Sequence, residues 1–173
     1  EQEYIAHLLA DLAQDAPLVA GRTVSSIFIG GGTPSVFSAA GIGQILAGVK
    51  QQLHCAADIE VTMEANPGTV EAERFAGYVD AGVTRFSIGV QSFQAAQLKA
   101  LGRIHDCDEA IRAAQLAQQL PLKSFNLDLM HGLPEQDING ALADLQQAID
   151  LAPPHLSWYQ LTIEPNTAFA SRP

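Results

Sequence analysis

The stretch SSIFIGGGTPSVF, residues 25–37, joins a short apolar run to three consecutive glycines, and a proline follows two residues later. The apolar run is typical of a buried strand, and the glycines indicate either a plain tight turn or a close approach of a ligand to the main chain. A Walker phosphate loop needs a lysine followed by Ser or Thr, which this stretch lacks. A dinucleotide fingerprint starting at Gly30 would need a glycine-like residue at Ser35 and an amide donor at Pro34. The residues therefore argue against both kinds of nucleotide phosphate cradle.

Four further strand-like runs follow, and segments with helical spacing separate them, such as the one carrying Ile42, Ile45 and Val49. Strands that alternate with helices at roughly thirty-residue intervals predict repeated βαβ units and a parallel sheet. The four runs are IEVTMEA (59–65), RFSIGVQ (85–91), SFNLDLM (124–130) and LSWYQLTI (156–163).

Within these runs polar and apolar residues alternate, so one face of the predicted sheet is polar on four strands. A sheet covered by helices on both faces should be apolar on both. A one-sided sheet with a solvated face is one interpretation. A curved sheet with helices outside and a polar interior fits better, because every crossover segment supplies an apolar stripe. We therefore predict an α/β fold, an incomplete (β/α) barrel of parallel strands with helices outside. The residues predicted for the polar face are Glu60, Thr62, Glu64, Ser87, Gly89, Gln91, Asn126, Asp128, Trp158, Gln160, Thr162 and Glu164.

Composition limits the classes of partner. The chain has 173 residues, and 9 basic against 19 acidic residues give a net charge of −10, which argues against nucleic acid or an anionic membrane surface. The sequence contains no apolar run long enough to be a transmembrane segment and no secretory signal. Cys55 and Cys107 match no metal-binding spacing, which favours a reduced, cytoplasmic setting. Because the chain opens at Glu1 in a helical pattern, we expect it to be a piece of a longer protein.

Six motifs occur in order: GGGTPS, MEANPGT, RFSIGVQSF, LGRIHD, FNLDLMHGLPEQ and LTIEPNT. Together they resemble the radical S-adenosylmethionine (SAM) family of the oxygen-independent coproporphyrinogen III oxidases, and the LTIEPNTAF ending resembles its heme chaperone branch. The resemblance covers essentially the whole chain. It implies that residues 1–173 are a partial radical SAM core domain that lacks the first strand, the cluster loop and a C-terminal region.

The resemblance also implies SAM contacts. In the family the glycine-rich segment brings main-chain carbonyls against the methionine ammonium of SAM, and a proline behind the glycines does not disturb that contact. A ribose diol suits Gln and carboxylate groups, and a guanidinium suits the methionine carboxylate. Taken singly, Arg103 could instead form a surface ion pair, and Gln91 and Asp128 could fill the barrel interior. The residues that match the family's SAM-contacting positions are Gly31, Gly32, Thr33, Glu64, Gln91, Arg103 and Asp128.

The family's [4Fe–4S] cluster is held by three cysteines in a C-x-x-x-C-x-x-C loop, and SAM binds the open iron. This sequence contains no such loop. We therefore expect the full-length parent to carry the cluster, and this chain to have no metal ligands, no catalytic residues, no radical chemistry and only weak SAM binding. His131, in LMHGLP, is a candidate metal or heme ligand, although a loop histidine is the simpler interpretation.

Three functions remain open at this point. The first is a radical SAM heme chaperone, which binds heme and serves a heme-accepting protein. The second is the oxidase itself, which decarboxylates the propionates of coproporphyrinogen III, a porphyrinogen. The third is an unrelated β/α-barrel lyase or isomerase whose rim carboxylates do acid–base work.

Overall fold

The computed structural model describes residues 1–68, 72–167 and 169–171. Thr69 of the MEANPGT motif, Ala168 of LTIEPNTAF, and the terminal Arg172 and Pro173 lie outside the described residues. Within the described ranges, no helix is both long and apolar enough to cross a membrane.

Five strands form one sheet, and they lie side by side in the order of the sequence. Every neighbouring pair is parallel, and helices surround the resulting half-barrel. The predicted α/β fold, an incomplete (β/α) barrel of parallel strands, is therefore confirmed. The strands are β1 Val24–Ile29, β2 Cys55–Ala65, β3 Arg85–Gln91, β4 Ser124–His131 and β5 His155–Gln160.

The helix boundaries follow local signals in the sequence. The side chain of Asp106 accepts a hydrogen bond from the backbone N–H of Glu109, and the side chain of Glu109 accepts one from the N–H of Asp106, which completes the predicted capping box. Gly102, with φ of +70°, follows the end of a short helix. The helices are α1 Gln2–Asp15, α2 Ala39–Gln52, α3 Phe75–Asp80, α4 Ala95–Ala100, α5 Cys107–Gln119 and α6 Ile138–Asp150.

The core lies between the outer face of the sheet and the helices. Val61, Phe86 and Leu127 on the outer face of three successive strands are fully buried. The ring of Phe86 stacks on that of Phe75 from α3, with 4.5 Å between ring centroids. Burial of these side chains fixes which face of each strand points inward, because side chains alternate along a strand.

Replacing Phe86 by Ala should lower the free energy of unfolding by about 3–5 kcal/mol, because the change removes a fully buried ring from a close-packed core. Urea denaturation followed by far-UV circular dichroism measures this loss. Phe28→Ala is the matched control, since the Phe28 ring is 62% exposed. The control should change the free energy by less than about 1 kcal/mol, and equal losses in both variants would contradict the assignment of the core.

Candidate functional site

Strand polarity brings the predicted site residues together. In a parallel half-barrel all strands end at the same rim. One pocket at this rim is lined by all seven residues predicted to contact SAM: Gly31, Gly32, Thr33, Glu64, Gln91, Arg103 and Asp128. They come from the loop after β1, from the carboxyl-terminal halves of β2, β3 and β4, and from the turn after α4. The pocket also includes Asn66, Ser87, Gly89 and Tyr159, which the sequence had not marked as ligand contacts.

Gly30 and Gly31 each have a structural reason to be glycine, whereas the surroundings of Gly32 do not require one. A side chain at Gly30 would place its Cβ 2.9 Å from the ring of Phe28 and 3.0 Å from the carboxyl carbon of Glu64. Gly31 has φ of +100°, a conformation that favours glycine, and its N–H donates to Glu64 Oε2 at 3.2 Å. A Cβ at Gly32 would meet no atom within 4 Å, so this position leaves open space beside the pocket.

Asp128 is held by polar neighbours on the inner face of the sheet. Its Oδ2 accepts a hydrogen bond from Ser87 Oγ at 2.6 Å, and its Oδ1 accepts one from Asn126 Nδ2 at 2.7 Å. Asn126 is itself buried, and Ser157 donates to its Oδ1 at 3.1 Å. Both carboxylate oxygens are therefore oriented before any ligand arrives, which reduces the entropic cost of binding.

Gln91 occupies an unusual backbone conformation. Its φ is +68°, and the N–H of Ser92 donates to the carbonyl of Val90 at 2.9 Å, which closes a γ-turn of the rare, strained type. The pairing of β3 with β4 shifts register between Ile88 and Gln91, as an extra residue in one strand requires. Backbone strain of this kind persists only where neighbouring groups hold it.

Two buried polar groups hold this turn. Asp144 on α6 is 1% exposed and accepts hydrogen bonds from Ser92 Oγ at 2.6 Å and from the N–H of Phe93 at 2.8 Å. The Nε2 of buried His105 donates to the carbonyl of Val90 at 3.1 Å. Burial lowers the pKa of His105, and this effect outweighs the backbone hydrogen bond, which acts in the opposite direction.

The predicted parity of β5 was wrong. The register pairs Asp128 with Ser157 and Met130 with Tyr159, so Ser157 and Tyr159 share the inner face with Asp128. Trp158 and Gln160, which were predicted there, lie on the opposite face. Both alternating sets in β5 contain polar groups, so the strand alone does not show which set faces inward. Only the pairing with β4 decides this.

Tyr159 consequently reaches the pocket. Its hydroxyl donates to Gln91 Oε1 at 3.0 Å. Burial, and next the negative charge of Asp128, raise the pKa of Tyr159, so the phenol keeps its proton at neutral pH.

His131 does not line this pocket. It lies on the face of β4 opposite Asp128, and its ring contacts that of Trp158 with 4.8 Å between centroids. The described residues include no group of three or more His, Cys, Asp or Glu side chains that could hold a metal ion. Cys55 and Cys107 are free thiols at the start of β2 and of α5. The described residues therefore do not fit an iron–sulfur cluster.

The charges of the pocket fit SAM. Glu64 and Asp128 supply two carboxylates, and Arg103 supplies one guanidinium. SAM carries a sulfonium, an ammonium and a carboxylate at neutral pH, so a pocket with an excess of one negative charge complements the net charge of the cofactor.

A parallel half-barrel with a polar pocket at its carboxyl rim is an architecture that many enzyme families share. The family model of the radical SAM superfamily matches residues 2–145. The chain belongs to this superfamily. Membership implies SAM and a [4Fe–4S] cluster as the cofactors of the family, and it sets aside the interpretation as an unrelated lyase or isomerase.

Within the superfamily the chain is similar to proteins named heme chaperone HemW. It is 63% identical over 171 residues to the protein from Escherichia coli strain K12, which covers 99% of this chain and 45% of that protein. It is 59% identical over 177 residues to the Haemophilus influenzae protein, at 100% and 46% coverage. The structure of coproporphyrinogen III oxidase HemN from E. coli superimposes with a TM-score of 0.87 at 29% identity, covering 99% of this chain and 39% of that one. The chain spans less than half the length of these proteins.

Lowering the pH should destabilise the protein through His105. Because the pKa of His105 is lower in the folded state than its ordinary value of 6.5, the unfolded state binds more protons as the pH falls below about 6.5. The free energy of unfolding is therefore unaffected by protonation of His105 above about pH 6.5 and falls as the pH is lowered from 6.5 to the pKa of His105 in the folded state. The loss is at most about 1.4 kcal/mol per unit of difference between the two pKa values. Urea unfolding at pH 7.5 and 5.5 measures the loss.

His105→Gln removes the titrating group but keeps a side-chain N–H donor. It should reduce the difference in stability between the two pH values. The control is His7→Gln on α1, where the side chain is exposed. If wild type and His105→Gln lose the same stability on acidification, His105 is not the group responsible.

Proposed function

We propose that the pocket binds SAM and that the chain is the SAM-binding part of a longer heme chaperone. The observation that carries the proposal is the convergence of seven residues from five separate segments on one pocket whose charges complement SAM. The sequence identity to proteins named heme chaperone HemW supports the second claim, that the chain is part of a heme chaperone. The free thiols of Cys55 and Cys107 agree with a cytoplasmic setting.

In this proposal each part of the pocket contacts a different part of SAM. The main-chain carbonyls of Gly31 and Gly32 accept from the methionine ammonium, with Thr33 beside them. Thr33 Oγ1 already donates to the carbonyl of Gly32 at 2.8 Å, which leaves that carbonyl a second lone pair. The guanidinium of Arg103 pairs with the methionine carboxylate, and Glu64, Gln91 and Asp128 hold the polar groups of the nucleoside.

In this proposal the full-length parent protein supplies the iron–sulfur cluster, because this sequence contains no C-x-x-x-C-x-x-C loop. A [4Fe–4S] cluster on a C-x-x-x-C-x-x-C loop would bind the amino acid end of SAM and supply electrons for its reductive cleavage. The residues of this chain then orient the nucleoside and neutralise the charges of the methionine end. The sequence upstream of Glu1 in the parent gene tests this part directly, because the proposal requires the cysteine loop there.

Heme is the cargo in this proposal, and a heme-accepting protein is the partner. The structural match to coproporphyrinogen III oxidase HemN favours a second candidate, the oxidative decarboxylation of coproporphyrinogen III. Mixing the full-length, cluster-loaded protein with heme, and separately with coproporphyrinogen III, SAM and a reductant, distinguishes the two. A Soret shift with stoichiometric heme and no release of carbon dioxide supports the chaperone, and release of carbon dioxide supports the oxidase.

Binding of SAM should depend on Arg103 in the full-length, cluster-loaded protein. Arg103→Gln removes a charge-assisted hydrogen bond worth about 1.5–3 kcal/mol, so the dissociation constant should rise about ten-fold or more. Anaerobic calorimetric titration measures it. Arg22→Gln, at an exposed arginine before β1, is the matched control and should bind SAM as the wild type does.

The isolated chain should bind SAM with a millimolar dissociation constant at best. Without the cluster, the charge-assisted contact of Arg103, worth about 1.5–3 kcal/mol, and hydrogen bonds worth about 0.5–1.5 kcal/mol each remain, against an association cost of about 4 kcal/mol or more. The same titration on residues 1–173, with iron analysis, tests this. Micromolar binding or stoichiometric iron in the isolated chain would contradict it.

A further inference from the structure

The backbone around Gln91 leaves its side chain little freedom. The γ-turn fixes the direction in which the side chain leaves the strand, and Asp144 and His105 hold the turn on either side. Gln91 is only 4% exposed although it lines the pocket. The carboxamide at its tip carries the hydrogen-bonding atoms of the side chain, and its orientation decides which of them donates and which accepts.

The two ends of the carboxamide have different neighbours. Oε1 accepts the hydroxyl of Tyr159 at 3.0 Å. Nε2 lies above Gly89, 2.9 Å from the position that a Cβ on that residue would take. Gly89 therefore leaves the space that the amide nitrogen occupies. A flipped amide could still donate its NH2 group to the tyrosine oxygen, because a hydroxyl both donates and accepts. A phenol is a stronger donor than acceptor, since its oxygen lone pair is delocalised into the ring. Pairing of the tyrosine hydroxyl with the amide oxygen is therefore favoured over the flipped arrangement.

We infer that Tyr159 is a positioning residue that sets the polarity of the Gln91 carboxamide, so that Gln91 presents its NH2 group to a ligand oxygen. The inference rests on the proposed binding of SAM. It refines the role proposed for Gln91, which then acts as a donor to a hydroxyl oxygen of the nucleoside. Tyr159 acts through Gln91 and need not touch the cofactor.

The orientation itself can be tested without SAM. In the full-length protein labelled with 15N-glutamine, Gln91→Ala identifies the side-chain amide signal of Gln91. Tyr159→Phe, which removes only the hydroxyl, should shift this signal and speed the exchange of its protons with water. Tyr4→Phe on α1 makes the same chemical change at an exposed position and should leave the signal unchanged. An unchanged signal in Tyr159→Phe overturns the inference, whether or not SAM binds.

The consequence for binding is tested by a double-mutant cycle in the full-length, cluster-loaded protein. Tyr159→Phe should raise the dissociation constant of SAM about three- to ten-fold, measured at a temperature at which the variant is fully folded in the absence of SAM. In a Gln91→Ala background the same change should have no further effect, because the group it orients is gone. An equal rise in both backgrounds overturns the inference. If the wild type does not bind SAM at all, the proposed function fails, and the amide signal alone decides the role of Tyr159.

Discussion

The pocket depends on the register of the parallel strands. Glu64 pairs with Ser87, Ser87 pairs with Asn126, and Asp128 pairs with Ser157, so the polar inner side chains of four strands form adjacent rows. A slip of one residue in any pair would turn these side chains outward and bring apolar ones inward. Burial of Val61, Phe86 and Leu127 on the other face opposes such a slip. The core therefore stabilises the arrangement of the site as well as the fold.

The regular pairing of β3 with β4 stops where the proposed ligand contacts begin. The extra residue between Ile88 and Gln91 interrupts the ladder, and the backbone of Gln91 adopts a conformation that is unfavourable for a residue with a side chain. A buried hydrogen bond from the N–H of Phe93 to Asp144, and one from His105 to the carbonyl of Val90, offset this cost. Both groups lie outside the proposed ligand contacts, and they connect the helices around the half-barrel to the geometry of the pocket. The stability of α6 and of the turn that carries Arg103 is thereby coupled to the position of Gln91.

Hydrogen bonds from neighbouring residues orient the polar groups of the pocket before a ligand binds. Asp128 receives two hydrogen bonds and Glu64 receives one before a ligand is present. Tyr159 stays neutral because burial and the nearby carboxylate raise its pKa, so it adds a donor without adding a charge. This combination keeps the excess negative charge of the pocket on two carboxylates at known positions, which suits a cofactor with a net positive charge.

The sequence by itself determined the fold class, the family and the candidate ligand residues. Strand–helix alternation reflects local periodicity, and motifs such as GGGTPS and LGRIHD can be recognised from a few consecutive residues. Only the tertiary structure decided that Tyr159 faces the pocket while Trp158 and His131 face away from it. Both alternating sets of β5 contain polar groups, so its orientation depends on hydrogen bonds to β4, between residues about thirty positions apart. The γ-turn at Gln91 could not be predicted from the sequence either. Asp144 and His105, which hold it, are distant from it in sequence and come close only after folding.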